Sequence, residues 1–390
     1  MGNKTARLWT EQFIFITITN GLIFLAMQMQ LSTFSLYVKE ISHKDIMVGI
    51  CSAGYSAAAI MARLFTGFAL DRYGRRGMLM TGLIVSPLIM VTYSWVPLIG
   101  VLVAIRFIHG LFWGISTTSS TTIASDIINR GRYAEGLAYF TLAQSLTLAI
   151  SPVIGLLIMK RLGYGTMTYI AAAILALAVI PALLLNYPKE NEKAIKQKFI
   201  PLEKKAMRPA LVMAFVGTAV GSVFVFIPLY GENQGIDVTF FFSVFAASML
   251  LTRPFVGRLV DQYGFNIVAF PSMILLAVSM ALLSISSNLA MLLLSGFLIG
   301  ASYATIQTTL QTMSVVNTSF HRRGAANATF FIAFDAGMGT GGLLSGSIAT
   351  RFGYSHMFAF MAVPVIVGCI LYFLLARKIE KMADEMLMEA

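Results

Sequence analysis

Arg63-Leu-Phe-Thr-Gly-Phe-Ala-Leu-Asp71-Arg-Tyr-Gly74 returns 190 residues later as Arg253-Pro-Phe-Val-Gly-Arg-Leu-Val-Asp261-Gln-Tyr-Gly264, with six of twelve positions identical. The same offset lays Arg161-Leu-Gly-Tyr164 on Arg351-Phe-Gly-Tyr354, and Phe107-x-x-Gly110 on Phe297-x-x-Gly300. Three matches at one shift are hard to obtain by chance. They divide the 390 residues into two homologous halves.

Composition sets the solvent. Of the residues, 57% are apolar and 12% charged, about half the charged share of a soluble domain. Mean hydropathy is +0.79. A soluble enzyme, a disordered chain and a nucleic-acid module are all excluded by that balance, and a polytopic all-α membrane protein is expected. The two cysteines, Cys51 and Cys369, lie in apolar runs and imply neither a disulfide framework nor a zinc site. The sequence carries no metal cluster, so no metal and no cofactor is expected.

A helix needs about 20 apolar residues to cross the hydrocarbon core. Twelve such runs are read: 11–37, 46–70, 78–96, 99–122, 134–159, 165–186, 209–231, 238–260, 267–286, 289–315, 325–350 and 355–376. The one long polar connector is 187–208. The expected organisation is therefore a six-helix bundle over 1–186, a cytoplasmic linker over 187–208 and a second six-helix bundle over 209–390. The first apolar run is too long for a cleavable signal, and no small-residue cleavage site follows it. With both termini cytoplasmic, the inner segments hold 20 Lys and Arg, the outer loops 5 and the spans 3. This is the positive-inside pattern. It accounts for the net charge of +11 as a topology device that meets anionic headgroups. The expected location is the cell inner membrane.

Repeated halves with a site between them near the midplane are a recurring plan of secondary transporters. At this point the chain resembles a known family. Gly67-Phe-Ala-Leu-Asp71-Arg72-Tyr-Gly74-Arg75-Arg76 resembles the loop 2–3 signature of the major facilitator superfamily. Arg106-x-x-x-Gly110-x-x-x-Gly114 resembles its span 4 signature. Ala124-Ser-Asp126 with Arg130-Gly-Arg132-x-x-Glu135-Gly136 is similar to the loop 4–5 pattern of bacterial efflux members, and Ser151-Pro152-x-x-Gly155 partly matches the antiporter motif. Thr147 and Ser151 stand where that motif commonly has glycine, and span 1 has no membrane carboxylate. The resemblance implies two pseudo-symmetric six-helix bundles and twelve-span drug or metabolite efflux. It also implies a conformational latch at Gly67, Asp71, Arg72, Gly74 and Arg75, with a weaker copy at Asp261. Gly110, Gly114, Pro152 and Gly155 are expected in helix packing.

The candidate site comes from charges that a bilayer makes costly. Asp335 is the one carboxylate deep within a span, roughly 17 Å from the inner face at 1.5 Å per residue. Arg106 lies at a similar depth in the other half, so a bridge that forms and breaks is geometrically possible. A lone carboxyl in a low dielectric favours its neutral form, and a nearby arginine the charged one. Asp335 and Arg106 are therefore the proton-coupling candidates, against the plainer reading that Asp335 pairs with Arg63, Arg106 or Arg253 as structural glue. Asn20 and Gln28 in span 1, and Tyr303, Gln307 and Gln311 in span 10, are the substrate-contact candidates; Gln307 and Gln311 share a helix face. His109 reads as a packed or hydrogen-bonded residue.

The absence of a Walker-type loop leaves an ion gradient as the energy source. The expected activity is proton-coupled export of a small organic molecule by alternating access, with no enzymatic activity. The expected partners are a small-molecule substrate, the proton and the lipid bilayer, with no nucleic acid, and the chain is expected to be a monomer. Two alternatives share the fold: an importer or uniporter of a small polar metabolite, and a lipid flippase or non-transporting sensor.

Overall fold

The computed structural model describes residues 8–128, 133–186, 202–316, 318 and 323–376, apart from the side chains of a few helical residues within them. Among the described residues eleven α-helices follow in order: α1 (Glu11–Ser42), α2 (Asp45–Tyr73), α3 (Arg75–Thr92), α4 (Ile99–Ile127), α5 (Tyr133–Leu177), α6 (Val179–Leu183), α7 (Met207–Gln234), α8 (Phe241–Ser284), α9 (Leu289–Val316), α10 (Arg323–Phe360) and α11 (Ala362–Leu371). No strand occurs among the described residues.

Three of these helices are each two spans joined across a glycine. Gly163 breaks α5, Gly264 breaks α8 and Gly353 breaks α10, with φ of 85°, 79° and 78° and ψ near 165°. Gly74, between α2 and α3, has φ 83°. With the breaks counted, and with α6 and α11 continuing the second parts of α5 and α10, the described residues give the twelve expected spans. The four glycines form two pairs, 74 with 264 and 163 with 353, at the offset of 190 seen in the sequence. The duplication therefore extends to a backbone conformation that side chains disfavour. A Cβ on Gly163 or Gly353 would meet nothing within 4 Å. Gly163→Ala and Gly353→Ala should thus cost only the backbone term, about 1–3 kcal/mol each, read as a lowered thermal midpoint in detergent.

Without water in the hydrocarbon, each polar group needs a partner inside the protein. Many hydroxyls return to their own helix: Thr117, Thr121 and Thr122 of α4 donate to the carbonyls of Trp113, Thr117 and Thr118 at 2.8 Å. Part of the Ser/Thr run 116–122 in α4 is thereby satisfied within its own helix. The outward faces carry exposed large apolar side chains, including Phe65, Leu88, Leu251 and Ile366, as suits lipid contact.

The helices gather into two compact units. One comprises 1–33 and 58–199, the other 34–57 and 200–390. In the first, α3 packs on α4 and α5. Gly114 of α4 lies against Ala59 and Ala62 of α2, Gly155 of α5 against Met29 of α1, and Gly110 and Pro152 are buried within their helices. In the second, α8 packs on α9, and α7 on α10. Gly217 and Gly221 of α7 face Gly337 and Gly341 of α10, two sets of small residues four apart that bring the backbones together. The tip of the first hairpin, 34–57, packs with this second unit although it belongs by sequence to the first half.

Candidate functional site

Asp335 lies on α10, half-buried. Its face of the helix continues through Gly339, Gly342 and Gly346, at spacings of four, three and four. Across from it, α9 presents Tyr303, only 4% exposed, within electrostatic reach of Asp335 and of Arg253 from α8. One side chain from each of three helices thus forms a polar group with one acid, one base and a phenol.

Tyr303 also anchors an aromatic ladder. It stacks on Phe245 of α8 at 6.1 Å and on Phe334 of α10 at 6.2 Å between ring centroids. Phe245 meets Phe224 of α7 edge-on at 5.5 Å, and Phe224 stacks on Phe242. Aromatic faces beside a fixed carboxylate and guanidinium can hold a flat or amphipathic molecule. Gln307 and Gln311 follow Tyr303 on the same face of α9 and are half-buried. The Gln311 amide donates to Asn327 Oδ1 at 3.1 Å.

In the first unit the sequence candidates are organised around α4. Arg106 is 4% exposed and His109 fully buried. His109 Nδ1 and the Tyr93 hydroxyl share a hydrogen bond of 2.9 Å. Arg106 acts electrostatically on His109 and on Tyr164, and Gln30 of α1 donates to the Tyr164 hydroxyl at 2.6 Å. Arg106 therefore sits in a buried polar cluster of its own half. Asn20 is fully buried and accepts from Ser120 at 3.2 Å, while Gln28 is half-buried on α1. Arg63 and Arg253, mates at the repeat offset, face equivalent helices: Arg63 Nη1 is 3.5 Å from Thr118 Oγ1 on α4, as Arg253 faces Tyr303 on α9.

At the loop of the 2–3 signature, Gly74 caps α3 and Arg75 makes a 2.8 Å ion pair with Asp126 at the end of α4. Arg76 donates to the Leu183 carbonyl at 2.7 Å. The local chemistry of Gly67 and the side chains of Asp71, Arg72 and Asp261 lie outside the described residues, as do Arg130 and Arg132.

Sequence reasoning missed four participants: Gln30, Tyr93, Tyr164 and Trp113. Trp113 meets Phe24 edge-on at 5.0 Å. Its signal was present, because it stands 190 residues before Tyr303 and supplies an aromatic ring at the matching point of α4. Tyr164 likewise stands 190 residues before Tyr354, just after a break glycine.

Comparison with known proteins bears on the whole chain. The family model described as Major Facilitator Superfamily matches residues 16–264 and 237–386. An MFS-type transporter of Methanocaldococcus jannaschii, MJ1560, is 22% identical over 358 residues, covering 88% of this chain and 92% of its own length. The multidrug resistance protein MdtG of Klebsiella pneumoniae is 26% identical over 339 residues, covering 80% of this chain and 79% of its own. Among solved structures, the nucleoside transporter NupG superposes with a TM-score of 0.72 at 14% identity, covering 94% of this chain and 99% of that one. A bacterial homolog of the human lysosomal transporter Spinster superposes with a TM-score of 0.77 at 12% identity, covering 98% and 99%. At these identities the structures speak for the fold.

Proposed function

Since the chain belongs to the Major Facilitator Superfamily, and is on that ground a multi-pass membrane transporter and not an enzyme, we propose that it exports a small organic molecule in exchange for protons. The exporter is a monomer of the inner membrane with both termini cytoplasmic, built from bundles 1–186 and 209–390 joined by 187–208. Its two halves rock around a central site. The observation that carries this reading is the half-buried Asp335 beside Tyr303 and Arg253. A carboxylate within a span is costly unless it does work there, and the protonation of one held near an arginine depends on its surroundings. Occupancy by substrate and occupancy by a proton then compete at one place.

The remaining roles follow. Arg106 modulates coupling from the first half. Asn20, Gln28, Tyr303, Gln307 and Gln311 contact substrate. Gly67, Asp71, Arg72, Gly74 and Arg75, with Asp261, latch the cytoplasmic side. Export is favoured over import by the several MdtG proteins among the relatives, all described as multidrug resistance proteins.

The test is transport in proteoliposomes with an imposed pH gradient, using ethidium, rhodamine 6G and Hoechst dye as probes. Movement of a probe against its gradient, driven by the pH difference and abolished by a protonophore, is the expected result. Probe movement indifferent to the pH gradient would replace exchange by uniport.

A further inference from the structure

The tip of the first hairpin is fastened to α10 by a group of residues that the transport reading does not use. α1 ends at Ser42 and α2 begins at Asp45, with His43 at φ 54° making the turn. From there Asp45, Gly49, Ser52 and Ser56 run along one face of α2. They lie on Gly346, Gly342 and Gly339 of α10. A Cβ added to Gly346 would come within 2.6 Å of the Asp45 carbonyl oxygen, on Gly342 within 2.6 Å of Ser52 Oγ, and on Gly339 within 2.7 Å of Ser56 Cβ. Small residues on both sides let the two backbones approach closely.

A polar group closes the end of this contact. Asp45 is 8% exposed. Its Oδ1 takes both the Lys39 ammonium, at 2.8 Å from the last turns of α1, and the Tyr354 hydroxyl, at 2.6 Å from just beyond the Gly353 break. The repeat supplies a contrast. Tyr164, the mate of Tyr354, receives its hydrogen bond from Gln30 within the first unit. Tyr354 instead donates to a residue of the other half's sequence. Two equivalent tyrosines thus serve two purposes, one internal to its half and one crossing to the other.

We propose that Lys39, Asp45 and Tyr354 form a latch that fastens the 34–57 tip to α10 on the face opposite the termini, and that it must release in every cycle. The inference rests on the alternating-access reading and the orientation given above. A tip that belongs by sequence to one half cannot stay bound to the other while the halves rock apart. The face of α10 that it covers leads directly down to Asp335, so release of the latch uncovers the route to that residue.

The test needs no substrate. In a protein with Cys51→Ala and Cys369→Ala, Ser56→Cys places one thiol on the buried contact face. Spheroplasts are then treated with a membrane-impermeant maleimide. The parent should label slowly. Asp45→Asn and Tyr354→Phe should each label about tenfold faster, since each weakens a hydrogen bond to a charged group. The double variant should label no faster than Asp45→Asn alone, because both act through one oxygen. Tyr354→Phe removes a single oxygen and keeps the ring, so it reports even where Asp45→Asn folds poorly. Equal labelling in parent, Asp45→Asn and Tyr354→Phe, in spheroplasts and in inverted vesicles alike, would overturn the latch. Acceleration seen only in inverted vesicles would keep the latch and overturn the orientation. Neither outcome depends on whether protons are exchanged.

Discussion

Asp335→Asn should reduce pH-driven net transport to the level of empty liposomes while leaving exchange of labelled for unlabelled probe in place. Asparagine keeps the size and hydrogen-bonding capacity of the side chain but cannot lose a proton or carry charge. If Asp335 is where proton and substrate trade places, a permanently neutral residue imitates the protonated form. The carrier can still cycle loaded on both strokes but can no longer do so in response to a proton gradient. Asp335→Glu, which keeps the ionisable group, should restore a measurable part of the coupling. Structural glue makes a different forecast. Removing the charge would then leave Arg253 in a low-dielectric setting with one fewer compensating group, so the thermal midpoint would fall and coupling per folded molecule would persist. Measuring both quantities on one preparation separates the readings. An Asp335→Asn protein that couples as the parent does removes this residue from the mechanism.

The architecture was legible in the sequence because its causes are local or repeated. Span lengths follow from apolar run length. The breaks at Gly74, Gly163, Gly264 and Gly353 fall where the repeat aligns glycine with glycine. Asp335 stood out because a carboxylate in an apolar run has few cheap explanations. Its neighbours were harder to foresee. Tyr303 meets Arg253 and Asp335 only because α8, α9 and α10 converge, and no periodicity along one helix encodes that. The cluster of Gln30, Tyr93, His109 and Tyr164 draws on α1, the residue that ends α3, α4 and α5, and its members look like ordinary half-polar core residues until they are brought together. The packing of 34–57 was also hidden. Sequence assigns the tip to the half in which it lies, whereas packing depends on the small-residue face it presents and on the glycines of α10 that receive it.

Gly341→Leu and Gly337→Leu should be the most damaging substitutions to the fold of the second unit. The reason is visible from both sides of the α7–α10 contact. A Cβ on Gly337 would strike the Ala214 carbonyl oxygen, and one on Gly341 the Thr218 carbonyl oxygen. In return, a Cβ on Gly217 would come within 2.9 Å of the Phe334 carbonyl oxygen, and one on Gly221 within 2.7 Å of that of Met338. The obstacles are backbone atoms inside helices, so no rotamer change relieves them. Lipid offers no hydrophobic reward for helix association, and close packing has to supply the attraction itself. Spreading the two backbones would disrupt more than the added methyl groups alone. Each leucine should therefore cost more than the ~1–3 kcal/mol usual for overpacking. It should appear as loss of the monodisperse species in detergent or a sharply lowered thermal midpoint. Thr340→Leu is the control. Thr340 is exposed on the same helix, and its hydroxyl is spent on the Ala336 carbonyl at 2.7 Å. That substitution should leave the stability within about 0.5 kcal/mol of the parent, with the midpoint little changed. If Gly341→Leu and Thr340→Leu behaved alike, α7 and α10 would not be held by their glycines. Asp335, carried on the same helix, would then lack the rigid support that keeps it beside Tyr303.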